Sequence, residues 1–170
     1  MLNAAAENGK RIARAMAGKF SALGAGERAY FEQRLASFLS RLDEAEKRWL
    51  AMMAPFKGTK VVTYHRSFSN FAARFGLEIV GYVEPRPGIP PTPQHTRDLI
   101  DNMKLLNAKL VLVEPFFDLK TPNAIARATG AEVLVLPPSV GGVKDASDYL
   151  ALFDYNINLL ITAIRKSASD

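Results

Sequence analysis

Lys60-Val61-Val62-Thr63-Tyr64-His65 opens the stretch that decides the fold. The run of β-branched and aromatic residues over 60–64 predicts a strand, and His65 follows at its carboxyl end. Residues 69–75 predict a short helix that Gly76 stops. Residues 77–83 predict a second strand. The proline-rich run Glu84-Pro85-Arg86-Pro87-Gly88-Ile89-Pro90-Pro91 cannot lie inside a helix or a sheet, so it is a loop. The alternation then repeats. Thr92-Pro93 predicts a helix start with proline at the first helical position, running to about residue 107. Residues 110–113 predict a strand, Thr121-Pro122 caps a helix that ends at Gly130, residues 132–136 predict a fourth strand, and residues 147–166 predict a closing helix. Four strand–helix units predict an α/β fold with a four-stranded parallel sheet and helices on both faces.

Upstream the pattern is helical. Ile12, Met16, Phe20 and Leu23 recur at helical spacing over residues 7–23. Phe31, Leu35, Phe38, Leu42, Ala45 and Trp49 continue as one apolar stripe on a predicted helix over residues 27–54, ended by Pro55. That helix would be roughly 40 Å long, more than a compact domain of this size needs. The stripe is therefore expected to stay partly uncovered and to favour pairing of chains through residues 12–42. The expected organisation is a helical segment over 1–57, including the long connecting helix, and an α/β lobe over 58–170.

Bulk properties narrow the function. The absence of cysteine excludes disulfides, thiolate metal sites and cysteine nucleophiles. No apolar run reaches the roughly 18 residues a membrane helix needs. The N-terminal MLNAAAENGKRIARAM lacks the order of a signal peptide, so none is expected in this chain. Net charge is +5, and the excess sits in the helical segment, where ten Lys/Arg face six Asp/Glu over residues 1–58. A solvated helix face accounts for this, and no nucleic acid is expected.

Parallel sheets take ligands at the carboxyl ends of their strands. The residues there are His65, Glu84, Glu114 and Pro137. Neutral imidazole is a strong zinc ligand, and His65 is well placed for one. Glu84 and Glu114 could add oxygen ligands or shape their proline loops. Arg66 could bind an anion or pair with either glutamate. His95, in the first turn of a predicted helix, is expected to be neutral and exposed. Gly141-Gly142 could let backbone amides approach a phosphate, but it lacks the lysine and hydroxyl of a P-loop. No order of serine, histidine and acid suggests hydrolysis, so no enzyme is expected.

The ordered motifs resemble the metal-binding solute receptors of zinc and manganese ABC transporters. Val62-Thr63-Tyr64-His65 is similar to the segment carrying that family's third metal ligand. Phe71-Ala72-Ala73-Arg74-Phe75-Gly76-Leu77-Glu78 resembles the helix-to-strand passage after it, Glu84-Pro85-Arg86-Pro87-Gly88 its proline-rich loop, and Val113-Glu114-Pro115 a strand end. The helix before Pro55 is similar to the connector between the family's two lobes. The resemblance implies a divalent cation as cargo, zinc before manganese because of the histidine. It implies an ABC permease as partner and a periplasmic or otherwise extracytoplasmic location for the parent. Two departures stand out. Pro137 occupies the place of the family's last acidic ligand, leaving Glu84, Glu114, Asp118 or water to supply oxygen. The N-terminal lobe with its two further histidines has no counterpart, so the chain is read as the C-terminal half. The competing readings are a cytoplasmic α/β module that binds a nucleotide or small anion through Arg66 and the Gly141-Gly142 loop, and a helical interaction module with a seam of Phe31, Leu35, Phe38 and Leu42.

Overall fold

The computed structural model describes residues 6–86 and 88–168. Pro87, part of the predicted loop, and Met1–Ala5, part of the N-terminal stretch read for a signal, lie outside the described residues. Two helices come first, α1 (Ala6–Leu23) and α2 (Arg28–Met53). Alternating elements follow: β1 (Lys60–Thr63), α3 (Ser69–Phe75), β2 (Glu78–Tyr82), α4 (Pro93–Leu106), β3 (Leu110–Val113), α5 (Lys120–Thr129), β4 (Glu132–Val135) and α6 (Tyr149–Ser167). The strands form one sheet in the order β2-β1-β3-β4, every pair parallel. This is the predicted fold.

Alternation along the strands sends side chains to opposite faces. Val61, Leu110, Leu112 and Leu134 pack with residues of α2, α3 and α6 on one face. Val62, Val111 and Val113 pack with Leu99 and Met103 of α4 and Ile125 of α5 on the other. Burial on both faces is why β3 reads Leu110-Val111-Leu112-Val113, apolar at every position. Gly76 ends α3 in the left-handed conformation at φ 74°, with its amide bonded to the Ala72 carbonyl. Gly81 makes room for Leu99, which lies where a β-carbon would project.

Two predicted helix starts are corrected. Helix α5 begins at Lys120, ahead of Thr121, because the Asp118 carboxylate accepts the Lys120 amide at 2.7 Å. Helix α6 begins at Tyr149, after Ser147, because Asp148 is the cap and accepts the Ala151 amide at 2.8 Å.

The long helix divides into two environments. Its C-terminal half enters the core through Leu42, Ala45, Trp49 and Met53, all essentially inaccessible. The Trp49 ring stacks on Phe153 at 4.8 Å, and its indole N–H donates to Asp154 at 2.6 Å. Burial on this scale contributes about 3 kcal/mol for each large side chain. Leu42, expected in an exposed seam, therefore belongs to this core. The N-terminal half carries α1, folded back on it with Phe20 5.6 Å from Phe31. That hairpin leaves Ile12 60% and Leu23 76% exposed.

The basic helical segment is also more than a solvated face. Lys10 of α1 reaches Asp43 at 2.6 Å and buried Glu46 at 2.9 Å. Arg74 of α3 binds the same Glu46 through Nε at 2.8 Å and through Nη2. Three helices thus meet at one carboxylate.

Candidate metal centre

The sheet ladder continues past the named ends of β1 and β2. Tyr64 N donates to Leu112 O at 2.8 Å, Val83 N to Thr63 O at 2.9 Å, and Glu84 N to Tyr64 O at 3.0 Å. Adjacent parallel strands therefore deliver His65 and Glu84 to neighbouring positions at the carboxyl edge. The Thr63 hydroxyl donates to the His65 carbonyl at 2.6 Å and holds the backbone as it leaves the sheet.

Both ring nitrogens of His65 then face Glu84. Nδ1 lies 3.2 Å from the Glu84 carbonyl oxygen, and Nε2 lies 3.0 Å from carboxylate Oε2. With Nδ1–H donating to the carbonyl, Nε2 is the nitrogen presented to the carboxylate. The histidine and the carboxylate are both mostly buried. An imidazole nitrogen beside a carboxylate oxygen offers a divalent cation two donors of the kinds zinc accepts.

Glu114 stands at the end of β3, almost wholly buried at 3% exposure. Its Oε1 accepts from the Ser67 hydroxyl, two residues beyond His65, and its Oε2 is buried without a hydrogen-bond partner. The structure thus joins His65 directly to Glu84, and Glu114 to the turn that follows His65. Among the described residues no three His, Asp or Glu side chains converge as a cation-holding cluster. Asp118 is engaged at the start of α5. The Tyr64 hydroxyl is held above its usual pKa, first by burial and then by the negative charges of Glu84, Asp118 and Glu114. The carboxyl edge is therefore an acidic environment, suited to a cation.

Several other expectations are corrected by the geometry. Arg66 pairs with neither glutamate, and its guanidinium lies over the Tyr82 ring, 4.8 Å from the centroid. His95 is part-buried, with Nε2 2.9 Å from the Tyr82 carbonyl oxygen, because α4 lies along β2. The amides of Gly141 and Gly142 are occupied within their own loop, bonded to the Ala146 and Ser139 carbonyls, so they present no open cradle for a phosphate. Pro137 is buried where the last strand ends, and its carbonyl accepts from Asn156 at 3.0 Å. An open cleft of about 750 Å³ does contain Lys109, Arg127 and Lys166, but it lies by the amino ends of β3 and β4.

One group escaped the sequence reading. Phe117 stacks face to face on Tyr64 at 4.3 Å and stands edge-on to His65 at 4.8 Å. Its signal was position alone, three residues past Glu114 in a loop at the sheet's carboxyl edge.

The family model described as zinc-uptake complex component A, periplasmic, matches residues 5–163. The high-affinity zinc uptake system protein ZnuA of Brucella abortus (strain 2308) is 26% identical over 142 residues, covering 84% of this chain and 42% of that protein. A crystal structure of ZnuA superposes with a TM-score of 0.81 at 26% identity, over 94% of this chain and 57% of its own. A zinc-bound ZnuA deletion mutant superposes with a TM-score of 0.75, also at 26% identity, over 96% of this chain and 58% of its own. The chain thus spans less than half the length of the curated ZnuA relative and a little over half of each solved chain.

Proposed function

Since the chain belongs to the family of the periplasmic A component of zinc-uptake complexes, we propose that it carries one half of a zinc site, with His65 and Glu84 as its donors. The observation that carries this reading is the contact of His65 Nε2 with Glu84 Oε2 at 3.0 Å, at the carboxyl edge of the sheet. There a cation would lie between the imidazole nitrogen and the carboxylate oxygen. Glu114, with one buried oxygen unpartnered, stands at the end of the neighbouring strand β3. Zinc is the leading cargo because imidazole nitrogen suits it, and manganese follows because the remaining donors are oxygens.

In this reading residues 58–170 are the C-terminal metal lobe of an extracytoplasmic solute receptor, and residues 1–57 end in the helix that connects it to a second lobe. The whole receptor would hand its cation to an ABC permease, a step in which no covalent bond is made or broken. The uncovered face of the α1–α2 hairpin supports a second, compatible role, self-association of this chain.

Parallel titrations distinguish this reading from an anion-binding module. Zinc is expected to give a saturable heat of binding, with manganese weaker and inorganic phosphate and ATP giving none. Saturable binding of phosphate or ATP with no response to zinc would overturn the reading.

A further inference from the structure

We infer that Phe117 is a positioning residue for His65, and that the segment from Glu114 to Leu119 sets the affinity of the site by fixing the plane of the imidazole. This rests on His65 being the metal donor proposed above. Its first consequence, however, is visible without metal.

Three rings meet at the carboxyl edge, with Phe117 at their centre. Its face covers Tyr64 with only 5° between the ring planes, and it meets His65 at 71°. Tyr64 and His65 also meet nearly at right angles, 5.1 Å apart. Edge-to-face and offset-stacked contacts are the favoured geometries of aromatic pairs. The imidazole therefore lies beside the parallel Tyr64–Phe117 stack, at a steep angle to both rings. Its two nitrogens point at two different acceptors of Glu84, a carbonyl and a carboxylate. Half a turn of the ring about its Cβ–Cγ bond would put Cδ2 and Cε1 where Nδ1 and Nε2 now lie and so lose both contacts, and the aromatic stack beside the ring opposes that turn.

The same segment fixes the backbone on which the ring is carried. The Ser67 hydroxyl donates to Glu114, the Phe117 amide donates to the Glu114 carbonyl at 3.2 Å, and Asp118 receives the Lys120 amide. One end of the segment thus holds the turn after His65, its middle supplies the ring wall, and its far end is tied to α5. Groups that orient a metal-binding histidine without touching the metal commonly change affinity by about 10- to 100-fold when removed.

The test uses the full chain labelled with ¹⁵N-histidine. In metal-free protein, Phe117→Ala is expected to broaden the His65 ring-nitrogen signals or move them toward an average of two orientations. The His95 signals are expected to stay in place. Zinc affinity should fall about tenfold, and Phe117→Tyr should restore both readings. Phe116→Ala is the control, since Phe116 is 68% exposed and contacts Phe117 rather than His65. Should Phe117→Ala fail to fold, Phe117→Leu keeps apolar volume without the ring wall and carries the same expectation. Unchanged His65 signals in a folded Phe117 variant would overturn the inference, as would zinc affinity within twofold of the parent. Perturbed His65 signals in a protein that binds no zinc would uphold the positioning role and remove the metal reading instead.

Discussion

Buried carboxylates at two places in this molecule have opposite surroundings. At the junction of α1, α2 and α3, Glu46 is bracketed by Lys10 and Arg74, so its charge is matched within the protein. At the carboxyl edge of the sheet, Glu84 meets an imidazole, and Glu114 meets a hydroxyl with its other oxygen unpartnered. Burial of a charge costs heavily unless it is paired. A carboxylate between two permanent cations has met that requirement and has no use for a ligand. Carboxylates beside a histidine and a serine leave room for a further positive charge. The difference separates a structural junction from the edge proposed to bind a cation, although both hold acidic groups with little exposure.

The largest stability effect is expected at the junction. Glu46→Ala leaves Lys10 and Arg74 without their shared partner and should cost about 3 kcal/mol, which corresponds to roughly 6–12 °C in Tm for a chain of this size. Calorimetric scans check this. A shift of a degree or less would show that the junction is as dispensable as a surface pair.

The same junction has an acid signature. Burial raises the pKa of Glu46, but the hydrogen bonds from Lys10 and Arg74 outweigh it and hold the carboxyl below its ordinary value of 4.5. A depressed folded pKa gives stability that is present above the unfolded value and is lost as pH falls through the folded one. The stability gap between the parent and Glu46→Gln should therefore be fully present above the ordinary value of 4.5 and narrow only as pH falls below it, through the depressed folded pKa. Denaturant midpoints measured across the acid range test the sign, and a gap that widens on acidification would contradict it.

The smallest effect on folding is expected on the open face of α1. Ile12→Ser combined with Met16→Ser removes exposed apolar area and should leave Tm within a few degrees. Sedimentation should find the parent associating at high concentration and this double variant less so. An equally monomeric parent would remove self-association from the account.

Much of this was legible in the sequence, because period decides element type. The strand over 110–113 and the stripe from Leu42 to Trp49 are patterns that burial enforces. The position of His65 after a strand also followed from pattern. Its partnership with Glu84 did not, since it depends on β2 lying beside β1, and strand order leaves no local mark. The Glu46 junction was hidden for a similar reason. Its partners lie 36 and 28 residues away in sequence, and a charged residue on a helix reads as solvated unless those partners are known. The helix starts at Thr121 and Ser147 were misplaced because Asp148 caps α6 itself and the Asp118 carboxylate, one residue before the Leu119 cap, takes the first amide of α5.

The central claim is that the paired donors at the sheet edge, and not buried carboxylates in general, hold the cation. Zinc calorimetry on the parent, His65→Ala, Glu84→Gln and Glu46→Gln, each confirmed as folded, tests it most directly. The expected result is binding in the parent, loss of at least tenfold in affinity with His65→Ala and a smaller loss with Glu84→Gln, and parent-like affinity in Glu46→Gln. Zinc binding that survives His65→Ala undiminished would contradict the account.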